Sequence, residues 1–110
     1  MSVEQIFIKA GGQLTLCELI DQKGNKRLVE PYMVYTSSRE KRLFHCYQVE
    51  GYSESNQSSG WKNPEIKSFH QARIQQDKKF IPRKEYNPFN ETMFPIVHFS
   101  IPTADNRKRK

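Results

Sequence analysis

Long hydrophobic runs are missing from this chain. A helix that crosses a bilayer needs roughly 18 or more apolar residues in succession. The apolar stretch Met93–Ile101 (MFPIVHFSI) falls well short of that. A secretory signal is also lacking, because Glu4 and Lys9 interrupt the apolar N-terminal segment Val3–Ala10. The expectation is a soluble, cytoplasmic protein without a membrane partner. Cysteine is scarce: Cys17 and Cys46 sit in separate strand-like segments and form no C-x-x-C. That excludes a disulfide framework and a Cys-rich metal site, and points to two buried free thiols. His45, His70 and His98 lie on different segments without helical i,i+4 spacing, so no metal site is expected. No G-x-S-x-G elbow or glycine-rich phosphate loop occurs, and the acidic residues are scattered singly. Neither a nucleophilic hydrolase nor a two-carboxylate enzyme has its parts here. The reading is a non-enzyme with no catalytic residue and no cofactor.

Negative charge is in short supply, with 18 Lys and Arg against 12 Asp and Glu for a net charge of +6. Half of that excess falls in the last six residues, Asp105–Lys110, which carry four basic side chains and one acidic one. The body is only mildly basic, so the tail is the sharper electrostatic signal. At 110 residues the chain is one domain. Residues 1–103 are read as that domain and residues 104–110 as a disordered basic tail.

Ser2 with Gln5 three residues on is a capping-box signature. Val3, Ile6, Phe7 and Ala10 then follow one helical face, and Gly11–Gly12 ends it, giving a short helix over about residues 2–10. Beyond it the period changes from helical to strand-like. Leu14–Ile20 reads as a strand, Asp21–Asn25 as a turn with Gly24 at positive φ, and Arg27–Thr36 as the return strand. On that return strand Val29, Pro31, Met33 and Tyr35 share a face by strict alternation, and Pro31 marks an edge or a bulge. Ser37–Lys41 turns the chain again. Arg42–Glu50 places Leu43, His45, Tyr47 and Val49 on one side and Arg42, Phe44, Cys46, Gln48 and Glu50 on the other. Trp61–Phe69 and Ala72–Gln76 continue the sheet, Phe80 and Ile81 read as core anchors, Pro82–Pro88 as a crossing segment, and Met93–Ile101 as a last strand. Short strands punctuated by turns describe a small, closed all-β barrel.

Between the aromatic strand ending in Tyr47-Gln48-Val49 and the Trp61–Lys62 pair, Gly51 to Gly60 form a Ser-rich segment without aliphatic side chains. Its hydroxyls donate and accept hydrogen bonds, and the chain's one tryptophan arrives next to a lysine at its end. Ring, cation and hydroxyls together suit a planar or phosphate-bearing ligand.

These residues, in this order, resemble the WYL domain family. The resemblance runs from about Val3 to Phe89. It is carried by the N-terminal helix followed by a strand, by Arg27-Leu28-Val29-Glu30-Pro31-Tyr32, by the strand Leu43–Gln48, by Gln48-x-x-Gly51-x-Ser53-x-Ser55 leading to Gly60-Trp61-Lys62, and by Phe80 with Tyr86-Asn87-Pro88. It implies a mainly all-β fold, a small Sm-like or SH3-type β-barrel behind a short N-terminal α-helix. It also implies a role like those of family members in bacterial transcription regulation and phage defence, where nucleic acid or a nucleotide-like ligand is bound. The chain departs from the family pattern in two places. Arg42-Leu43-Phe44 stands where the name-giving Trp-Tyr-Leu is expected, and Glu65 and Ser68 stand where two arginines are expected, leaving Lys62 and Lys67 as the nearby cations.

The functional expectation is a ligand-sensing or regulatory binding module. It would recognise a nucleotide-like or single-stranded nucleic-acid ligand through Arg27, Arg42, Tyr47, Gln48, Ser53, Ser55, Trp61 and Lys62. The alternative is a protein-interaction or self-association module, docking on a partner encoded nearby or on a second copy through the strand near Pro31 or through Met93–Ile101.

Overall fold

The computed structural model describes residues 1–52 and 59–102. One helix, α1 (Val3–Gly12), precedes six strands: β1 (Thr15–Asp21), β2 (Lys26–Thr36), β3 (Arg42–Gly51), β4 (Gly60–Lys62), β5 (Phe69–Lys79) and β6 (Ile96–Ser100). The mainly all-β fold behind a short helix is therefore as expected. The capping box closes as its sequence implies. The Ser2 Oγ accepts from the Gln5 amide at 3.1 Å, and the Ser2 amide donates to Gln5 Oε1 at 2.9 Å.

All strand pairs are antiparallel, in the order β4-β3-β2-β1-β5. β6 pairs with β2 through Met33–Thr36, on the flank where β1 has already taken up Lys26–Val29. Pro31 sits at this handover, in a register irregularity between Pro31 and Met33. Of the two expectations for Pro31 the bulge holds, because β2 lies inside the sheet. A proline that cannot donate belongs where the ladder is already broken.

The bulge overturns the strict alternation expected for β2. Val29 and Val34 face one core, whereas Tyr32, Met33 and Tyr35 face another. One extra residue exchanges the two faces for every side chain that follows it. β2 can therefore be buried almost throughout its length, feeding two cores with a single strand.

The sheet curls around the first core. Phe44 on β3 and Phe69 on β5 are three strand spacings apart along the ladder, about 14 Å in a flat sheet, yet their ring centroids lie 6.1 Å apart. α1 packs into the concavity, with Phe7 stacked on Phe44 at 3.8 Å. The ladder does not link β4 to β5 among the described residues. Pro64, a bridge from Glu65 to Leu43 and a 3-10 turn at Ile66–Ser68 interrupt what sequence alternation reads as one strand over Trp61–Phe69. Pro64 has no N–H to give to a ladder, and its carbonyl instead accepts from the Phe44 amide.

The second core covers the other face of the sheet, under the segment leading from β5 to β6. Phe80, Tyr86, Phe94 and Ile101 pack there on Tyr32, Met33 and Tyr35. Ile81 is not a core anchor: it is 87 % exposed. Phe80, the first residue after β5, turns inward with its amide bonded to the Leu14 carbonyl, and the chain then runs outward through Ile81. The last strand is shorter than expected, because Met93 and Phe94 belong to a turn anchored by Asn90.

Candidate functional site

The expected site residues divide between the two sheet faces. β4 is an edge strand, and Tyr47 pairs with Trp61 while Cys46 pairs with Lys62. Neighbours on a strand point to opposite sides, so Trp61 joins the second core and Lys62 lies on the side of the first. Tyr47 and Trp61 meet edge to face, centroids 5.3 Å apart. Trp61 also contacts Tyr32 at 4.9 Å and lies parallel to His45, within 8° and at 4.9 Å. The tryptophan is half-buried in a ring cluster rather than standing out as a platform.

Arg27 lies on β2, paired with Gly51 of β3. Its guanidinium carbon is 5.5 Å from the Phe69 ring centroid and 5.8 Å from that of Tyr52, a cation–π cradle that fixes a half-buried charge. The Arg27 Nε is buried and has no hydrogen-bond partner. Arg27 and Lys62 line one hollow of about 340 Å³ together with Asn63, Pro64, Glu65 and Ser68. A second hollow, of about 230 Å³, lies on the Tyr52 side of Arg27.

Gln48 is fully buried, and its Nε2 donates to the Tyr52 carbonyl at 2.8 Å. It holds the start of the Ser-rich segment in place and offers no surface to a ligand. Gly51 makes the same junction possible. Its φ is +114°, and a β-carbon there would stand 2.5 Å from the Lys26 carbonyl oxygen. Arg42 is not part of either group. It is exposed and clasps Glu4 of α1 through two hydrogen bonds of 2.8 and 2.7 Å. Ser53, Ser55 and the basic tail lie outside the described residues.

Two groups that sequence reasoning missed organise the aromatic side. Glu30, 6 % exposed, accepts from Arg83 Nε at 2.9 Å, from a terminal Arg83 nitrogen at 3.1 Å and from the Tyr32 hydroxyl at 2.9 Å. The Arg83 guanidinium also lies 3.6 Å from the centroid of Tyr47. The face of Tyr47 that a ligand would stack on is thus taken by a cation of the protein itself. His45, 6 % exposed, is the second. Its Nδ1 donates to Asn63 Oδ1 at 2.8 Å, an oxygen that also accepts from the Tyr35 hydroxyl at 3.0 Å. Burial holds the His45 pKa below the ordinary histidine value despite that bond. Alternation had put His45 beside Tyr47 on one face, and that was the available signal. Arg83 carried none, since its partner is 53 residues away.

Burial drives the thiols of Cys17 and Cys46 up to about 12, which keeps them protonated and inert. Among the described residues no group of three or more His, Cys, Asp or Glu is placed to hold a metal ion, and no helix is long and apolar enough to cross a membrane. No family model, no curated protein and no solved structure matches the chain.

Proposed function

We propose that this chain is a non-enzymatic, WYL-like binding module that recognises a nucleotide-like or single-stranded nucleic-acid ligand by its anionic part, held between Arg27 and Lys62. The observation that carries this reading is the Arg27 cradle. A guanidinium fixed between two rings on the wall of a shared hollow is preorganised for an incoming oxygen anion. Lys62 adds a second positive charge in the same hollow. The resemblance of Arg27–Tyr32 and of Gly60-Trp61-Lys62 to family segments supports the same assignment. Because Trp61 and Lys62 project from opposite faces of one edge strand, a ligand that touches both must straddle that edge.

Binding of a fluorescent single-stranded oligonucleotide at low salt tests the reading. Affinity should fall as salt rises, and Arg27→Met should weaken it about tenfold or more, the loss of one charge-assisted contact. Equal binding by the wild type and by Arg27→Met would remove Arg27 from the site.

A second reading rests on β6, where Ile96 and Val97 are 54 % and 43 % exposed. An apolar strand surface of this kind suits self-association or a protein partner. Light scattering separates the two readings, since a concentration-dependent dimer without salt-sensitive oligonucleotide binding supports the second.

A further inference from the structure

Beside Trp61 lies a groove of about 490 Å³ on the face of the sheet opposite Lys62. Its walls are flat and apolar: the parallel rings of His45 and Trp61 on the sheet, and Met93 and Phe94 from the turn before β6. Phe94 touches the His45 ring, with centroids 4.8 Å apart, so the imidazole is held by neighbours on several sides.

The polar groups around this groove have definite hydrogen-bonding roles. Asn63 Oδ1 can only accept, so His45 Nδ1 carries the proton, and Nε2 on the far side of the ring is left with a lone pair. Burial keeps this neutral form favoured. Asn87 and Asn90 each spend the side-chain oxygen on a backbone amide of their own turn, Phe89 and Met93 respectively. What they retain for a ligand is the Nδ2 donors. Glu85 is the one lining side chain that bears a formal charge, and its negative sign disfavours an anion in the groove.

An occupant must therefore be flat, must donate to His45 Nε2 and must accept from asparagine amides. We propose that this groove binds a neutral planar ring with a lactam or imide edge, an N–H beside a C=O, as in uracil- or hypoxanthine-type bases. The proposal deepens the nucleotide-like reading by placing the ring of such a ligand. It makes no use of the Arg27 hollow.

An uncharged nucleoside tests it, because the anion site then plays no part. Trp61 is the chain's only tryptophan and lines this groove, so its emission reports occupancy there. Uridine should change that emission saturably. N3-methyluridine, which presents a methyl group in place of the N–H, should bind at least about tenfold more weakly, because a buried acceptor loses its donor. His45→Phe keeps a ring in the stack and removes Nε2, and should abolish the preference between the two nucleosides. Circular dichroism confirms that the variant is folded. The proposal is overturned if uridine gives no saturable change up to about 10 mM, a weak limit for a ligand of that size. Equal affinity of the wild type for the two nucleosides overturns it as well. Loss of oligonucleotide binding in Arg27→Met, with uridine binding absent, would refute the groove and leave the anion site standing.

Discussion

His45 shows how one side chain is given a single chemical state by its surroundings. Its ring is buried, and its Nδ1 is committed to Asn63. A histidine whose folded pKa lies below its unfolded value of about 6.5 loses stability as pH falls. The unfolded chain takes up a proton first, so the penalty begins near pH 6.5 and grows until the folded pKa is reached. Urea midpoints should therefore drop between pH 7.5 and pH 5, and His45→Gln should flatten that dependence. An unchanged profile in the variant would mean that other groups set it. Gly51 carries a steric demand of a different kind. Positive φ and a 2.5 Å approach to backbone predict that Gly51→Ala costs about 1–3 kcal/mol or more. A chemical denaturation curve within error of wild type would show that β2 and β3 can part there without loss.

At the scale of elements, the segment between β5 and β6 is tied down by polar contacts as much as by rings. Arg83 binds Glu30 through Nε and one terminal nitrogen, and the Arg83 amide donates to the Tyr32 hydroxyl at 2.9 Å. The Tyr86 hydroxyl bonds the Tyr32 carbonyl at 3.2 Å and Ser100 at 2.6 Å. Arg83→Met strands a buried carboxylate, which should cost about 2–3 kcal/mol, below the figure for a fully buried pair because Arg83 reaches water. Glu30→Gln in the same chain should return part of that loss. Strictly additive single and double variants would show that the pair is not coupled. This tether explains why the sequence was informative about strands and poor on what covers them. Turn chemistry at Asp21–Asn25, the capping box and the two sides of β3 are local patterns, and all are present. The exchange of faces in β2, the exposure of Ile81 and the capture of Tyr47 by Arg83 depend on partners far along the chain. For the same reason Arg42 read as a ligand contact, although its partner Glu4 lies 38 residues earlier. The separation of Trp61 from Lys62, by contrast, follows from the strand period alone.

For the molecule as a whole, the two thiols are built-in reporters. Cys17 on β1 and Cys46 on β3 share one core and have no exposed surface. Neither can react without opening the sheet that α1 plugs. Under native conditions a disulfide reagent should modify both at a single slow rate, set by the global unfolding equilibrium. Rapid modification of one thiol would reveal a local opening that leaves the rest of the core closed.

β4 has a consequence for keeping the chain in solution. Only three residues long, it begins at Gly60, with a φ of +123°, and ends two residues before Pro64. A strand edge exposes backbone groups that a foreign strand can adopt, and long flat edges seed fibres. Here the edge is too brief to template more than a contact or two, and Lys62 adds a charge against stacking. The same brevity that places a ring on one face and an ammonium on the other also makes this side of the sheet a poor seed for aggregation.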